Sequence, residues 1–133
     1  MPVLVDTNVL SDVIHQDPLW SGWSSAQLIQ HAGDLVVNPI IFAELCCRAT
    51  SAAEVDQIIR TLGLGYEEPG KDALFLAAKA FVAYRRQGGG KTSPLPDFFI
   101  GAHAHAQAAG YSLLTRDKGR YQTYFPTVTL ICP

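Results

Sequence analysis

The chain has 133 residues, of which 48% are hydrophobic and 17% charged, and a formal net charge of −2. That apolar content can fill one sizeable core and excludes a disordered chain. The slightly negative balance excludes a general polyanion binder, so a nucleic-acid partner would need a local basic patch or a metal. One domain spanning 1–133 is the natural expectation at this length. Three cysteines, with Cys46 and Cys47 adjacent, make no disulfide framework and point to a reducing compartment. No basic-then-apolar leader is visible, because Asp6 interrupts the first apolar run, and no apolar stretch is long enough to span a bilayer. The expectation is a cytoplasmic protein with no membrane contact.

In chain order, the first apolar run, Val3–Val5, reads as a buried strand that ends abruptly on Asp6. A charge at that place is costly unless a hydrogen bond, a cation or a metal meets it. Asp6 could simply cap a helix over Asn8–His15, accepting backbone N–H bonds. A second helix is expected at roughly Ser24–His31 and a second strand at Leu35–Val37. Asn38 and Pro39 then have the chemistry of a cap and a first helical turn for a helix over Ile40–Thr50. Glu44 sits on that helix among Ile40, Ile41 and Cys47. An exposed ion pair with Arg48 at i+4 would contribute only about 0.3–0.5 kcal/mol, too little to offset burial of a carboxylate.

Further on, the pattern predicts a helix over Ala53–Leu62, a weak strand near Gly65–Glu67 and a helix over Lys71–Gln87. The stretch QGGGKTSPLP at 87–96 reads as a flexible loop. Asp97 follows two prolines and enters the next helix, Asp97–Ala109, in its first turn, where the helix dipole favours an acid. Gly101, Ala104 and Ala108 share its face, a strip of small residues that lets the helix press close to a neighbour. Strands at Ser112–Thr115 and Val128–Ile131 complete the chain, and Asp117 follows the first of them as a turn acid. Strands alternating with helices imply an α/β fold with a mainly parallel sheet covered on both faces.

In such sheets ligands bind outside the carboxyl ends of the strands. Three of the four acids stand at a strand exit or a helix start, and Glu44 stands on an apolar helix face. Four carboxylates in one pocket repel strongly, so the cluster is tolerable only with a divalent cation or with protons taken up. Hard oxygen ligands suit Mg²⁺ or Mn²⁺, and a metal so held can activate water and neutralise a phosphoryl group.

Together VDTNVL with Asp6, the Glu44 helix, LPDFFIGAHA with Asp97 and LLTRDKGRY with Asp117 resemble a PIN domain, and among these the VapC-like ribonuclease toxins of toxin–antitoxin operons. The resemblance runs from Val3 to Ile131. It implies a Rossmann-like three-layer α/β/α fold and a Mg²⁺- or Mn²⁺-dependent endoribonuclease whose acidic constellation is Asp6, Glu44, Asp97 and Asp117. Asp6 and Asp97 would be the principal metal ligands, joined by Glu44 and Asp117. Thr7 and Asn8 match the N-terminal motif, with Asn8 orienting the acids or the bound water and Thr115 supplying a hydroxyl near Asp117. Many relatives carry an acid or Asn beside the last Asp, where this chain has Arg116, which suggests that Asp117 stands behind the direct ligands or acts through water. The resemblance also implies an RNA substrate, a homodimer and a small cognate antitoxin that inserts residues near the acidic pocket. Trp20, Trp23 and Phe42 are the patch suggested for that contact.

Arg48, Arg85, Arg86, Lys91, Arg116, Lys118 and Arg120 are candidates for holding the RNA backbone, against a reading of most of them as solvated charge. GGGKT at 88–92 lacks the earlier glycine and the preceding strand of a phosphate-binding loop. His103 and His105 would point about 160° apart on a helix and cannot chelate together. Two other classes compete with a nuclease. An aspartyl phosphatase would need a second aspartate two residues after Asp6, where Asn8 stands, and a receiver domain would need a mid-chain nucleophile. A catalytically silent module with the same fold is the second alternative, and retention of all four acids argues against it.

Overall fold

The structure, a computed structural model, describes residues 2–88, 95–106 and 110–133, apart from the side chain of Arg120. Gly89, Gly90 and Lys91 of the GGGKT stretch, and Ala108 of the small-residue strip, lie outside those residues. Among the described residues five strands run β1 (Val3–Val5), β2 (Leu35–Val37), β3 (Gly65–Tyr66), β4 (Ser112–Leu114) and β5 (Leu130–Ile131). They form one sheet in the order β3-β2-β1-β4-β5, and every neighbouring pair is parallel. β1 is central, with Val3 opposite both Leu35 and Ser112. Its three residues are all buried, as a strand covered on both faces requires.

Among the described residues, seven helices connect the strands: α1 (Thr7–Ile14), α2 (Ser21–Gln30), α3 (Pro39–Cys46), α4 (Ala52–Thr61), α5 (Lys71–Arg86), α6 (Leu95–Ala106) and α7 (Lys118–Tyr124). Connections through α1–α4 step one way from β1, and those through α5–α7 step the other. Right-handed crossovers therefore send the two groups to opposite faces, which makes the three-layer α/β/α architecture. The reversal of direction falls between β1 and β4, the switch point where such sheets place their sites.

Most of the expected elements are present within a residue or two, and three differences have clear causes. The helix expected to reach Thr50 stops at Cys46. Its last turn tightens, with Cys47 N–H on Glu44 O and Ala49 N–H on Cys46 O. Thr50 instead gives its N–H and hydroxyl to Glu54, while Ser51 caps α4 by accepting the Glu54 N–H at 3.1 Å, a reciprocal capping box. β5 is two residues rather than four, because the Val128 N–H turns back onto Phe125 O. The third difference is α7, absent from the sequence reading. Gly119, Tyr121 and Thr123 are poor helix formers, and the helix is held by its packing, with Tyr121 1% and Phe125 2% exposed.

All three cysteines are free thiols. Among the described residues no helix is long and apolar enough to cross a membrane.

Candidate active site

Asp6 leaves β1 in extended backbone and takes the N-cap of α1, its Oδ1 accepting the Thr7 N–H at 2.7 Å. The capping role and burial coincide, for only 4% of the residue is exposed. Oδ2 accepts the Thr115 hydroxyl at 2.7 Å, the Tyr121 hydroxyl at 3.0 Å and, more distantly, the Asn8 amide at 3.4 Å. Thr7 turns the other way and donates its hydroxyl to Glu44 Oε1 at 2.6 Å, tying α1 to α3. Asn8 Oδ1 accepts the Arg116 N–H at 3.2 Å, and Thr115 Oγ1 accepts the Asp117 N–H at 3.0 Å. The turn after β4 is thereby joined to the turn after β1.

Electrostatics gather the acids further. Burial raises the Asp6 carboxyl from its ordinary 3.8 to about 6, with the Asp97 charge adding to the rise and the Thr115, Tyr121 and Thr7 hydrogen bonds opposing it. Burial also raises Glu44, against the Thr7 bond and with the Asp97 charge. The Tyr121 phenol is pushed well above its usual range by burial, then by the charges of Asp6 and Asp97 and by its bond to Asp6. Asp6, Glu44 and half-buried Asp97, from β1, α3 and α6, thus share one field at the carboxyl end of the sheet.

No three His, Cys, Asp or Glu side chains among the described residues form a ready-made ion-binding group. The donor chemistry nevertheless fits a hard divalent cation: three carboxylates, two of them held above their ordinary pKa by burial and mutual repulsion. Among the described residues Oδ1 of Asp6 accepts only the Thr7 N–H. An ionised carboxylate oxygen has two lone pairs, so one remains for a ligand.

Asp117 is exposed and stands at the N-cap position of α7 without a side-chain capping bond. It does not figure among the charges that raise Asp6 and Glu44. Of the basic candidates, Arg48, Arg85, Arg86 and Lys118 are exposed. Arg116 is engaged, its guanidinium gripping Asp12 and lying 5.1 Å over the Trp20 ring. Glu44 bonds to Thr7 rather than to Arg48. The suggested aromatic patch divides into two pairs, Trp20 against Trp23 and Phe42 against Tyr66. His103 is buried and faces Asn38, whereas His105 is exposed and faces Thr127, so the two do point apart.

Sequence reasoning missed Tyr121 and Asp12. Tyr121 lies on the unforeseen α7, so no periodicity drew attention to it. Asp12 is 2% exposed and bonds Ser24 as well as Arg116. Its signal was available: it is an acid between Leu10 and Val13 on a helix whose other inward positions are apolar.

A parallel sheet with acids gathered at the carboxyl end of its switch point has the arrangement in which such sheets place their ligand sites. The chain belongs to the PIN domain family, whose family model matches residues 3–126. PIN domains are in general nucleases that use a divalent metal. Similar solved structures include VapBC2 from Rickettsia felis bound to a DNA fragment from its promoter, at 16% identity and TM-score 0.71, covering 99% of this chain and 98% of that one. DNA-bound VapBC from Salmonella typhimurium matches at 14% identity and TM-score 0.72, with the same coverage. A toxin–antitoxin complex from Klebsiella pneumoniae matches at 21% identity and TM-score 0.64, covering 97% and 95%. No curated protein matches the chain by sequence.

Proposed function

We propose that this chain is a Mg²⁺- or Mn²⁺-dependent endoribonuclease, the toxin of a toxin–antitoxin pair, restrained by a small cognate antitoxin and working as a homodimer in the cytoplasm. The observation that carries the nuclease reading is the shared field of Asp6, Glu44 and Asp97, with Asp6 almost fully buried and raised to about 6. The toxin role rests on the likeness to chains of toxin–antitoxin complexes.

Asp6 and Asp97 would hold the metal, with Glu44 close by. The bound ion supplies a lowered pKa for water and charge neutralisation at the phosphoryl group. The chain's own residues do the rest. Thr115 and Tyr121 fix Asp6 Oδ2, so that the carboxylate presents one orientation. Thr7 engages Glu44 Oε1, leaving Oε2 to accept the proton of the attacking water; a carboxyl raised by burial suits that base role. Asp117 acts at the rim through water. Arg48, Lys91, Lys118 and Arg120 are the backbone-holding cations of this reading.

Purified protein with Mn²⁺ should cleave a structured RNA, and EDTA should stop it. Asp6→Asn and Asp97→Asn should each lower the rate on the order of 10²-fold or more with the far-UV spectrum unchanged. Undiminished cleavage by a folded Asp97→Asn protein would overturn the assignment.

A further inference from the structure

Arg116 interrupts an acidic neighbourhood, and its side chain turns away from it. Nε donates to Asp12 Oδ2 at 2.7 Å and Nη2 to Asp12 Oδ1 at 3.0 Å, a two-pronged pair with an acid that is 2% exposed. Asp12 Oδ2 also accepts the Ser24 hydroxyl at 2.7 Å, so α1, α2 and the turn after β4 meet on one carboxylate. Trp20 covers the guanidinium from one side. The Arg116 backbone N–H donates to Asn8 Oδ1, and its neighbours in sequence are Thr115, which donates to Asp6, and Asp117, whose N–H returns to Thr115.

We propose that Asp12 and Arg116 are a positioning pair that clamps the Thr115–Asp117 turn onto α1, aiming the Thr115 hydroxyl at Asp6 and holding Asn8, and that Arg116 is not an RNA-backbone cation. The two donors that grip Asp12 are committed, and swinging them onto a phosphate would leave a buried carboxylate unpaired, which is strongly unfavourable. A fork of donors is needed here rather than charge alone, because both Asp12 oxygens are gripped at once. The kinetic part of this proposal rests on the nuclease reading; the clamp itself does not.

The test uses Arg116→Lys and the double variant Asp12→Asn/Arg116→Gln in the full chain. Lysine keeps the charge, so a phosphate contact would survive that change and a fork would not. The double variant removes both charges together, which avoids stranding one of them if a single variant fails to fold. The first readout is amide hydrogen exchange. In the folded variants the N–H groups of Arg116 and Asp117 should exchange faster, while those of Val55 and Ile59 in α4 stay as protected as in the parent. The second is kinetic: kcat should fall about 10-fold to 100-fold in both variants, with KM and the salt dependence of binding unchanged. Unaltered exchange at Arg116 and Asp117 would overturn the clamp. A raised KM with a salt slope shallower by about one unit in the double variant, and near-parent behaviour of Arg116→Lys, would make Arg116 a phosphate contact. If the parent cuts no RNA, the nuclease reading fails and the exchange result still decides the clamp.

Discussion

Asp6 illustrates how one residue joins a structural role to an unusual electrostatic setting. It caps α1 and, in the same geometry, is raised to about 6 by burial beside a like charge. Its hydroxyl donors keep that rise in check, so each has a measurable worth. Tyr121→Phe removes one of them and leaves a buried carboxylate less satisfied; it should lower the unfolding free energy by about 1–3 kcal/mol in a urea titration. His103 is a second buried titratable group with the opposite sign. Asn38 Oδ1 is committed to the Ile41 N–H, so its amide nitrogen must face His103 Nδ1, and the ring proton sits on Nε2, a buried atom with no partner among the described residues. Burial lowers the His103 pKa below 6.5. The unfolded chain therefore binds the proton first, and this residue's contribution to stability is lost as pH falls below about 6.5. The raised Asp6 and Glu44 act in reverse, since the folded chain takes up their protons earlier and acidification favours it. The His103 term should thus emerge as a difference: urea midpoints of the parent and His103→Gln should converge as pH is lowered from 7.5 to 5.

At the scale of elements, the small-residue strip on α6 was readable in the sequence, and its partner was not. A Cβ on Gly101 would collide with the Phe125 ring and come within 3.1 Å of the Tyr121 ring. Both rings are buried and cannot swing aside. Gly101→Ala should therefore cost about 1–3 kcal/mol, despite alanine's better helix propensity, because overpacking outweighs it. Thermal unfolding would check this, and a stabilised Gly101→Ala protein would mean that α6 and α7 are not pressed together as described. The same contact explains why α7 forms at all. Its local sequence favours no helix, and two aromatic side chains dock it against α6. Local propensity is a weak prior that tertiary packing overrides. Where local chemistry is complete within a few residues, as in the Asn38–Pro39 start of α3, the expected element was found at its place.

For the whole molecule, the topology decides which remote residues become neighbours. Reversal of strand order at β1 puts the exits of β1 and β4 side by side, so Asp6 and Thr115, 109 positions apart, share a hydrogen bond. On the proposed reading, carboxylate repulsion at that site is an energy cost that a bound cation would remove. Mn²⁺ should therefore raise the melting temperature of the parent by several degrees, reversibly with EDTA, through preferential binding to the folded chain. The shift should be largely absent in Asp6→Asn. An equal shift in that variant would place the cation elsewhere.

The sequence by itself determined the strand and helix alternation, the apolar setting of Glu44, the strand end and helix start that carry Asp6 and Asp97, and the order of motifs that marks the family. These are local or periodic properties, set by side chains within a turn or two of one another. Only the tertiary structure decided which acids share a field, that Tyr121 reaches Asp6, and that Arg116 is spent on Asp12. Those pairings depend on which helix lies over which strand, and the energy that selects them comes from burial and charge between segments a hundred residues apart, where no local pattern carries a trace of the partner.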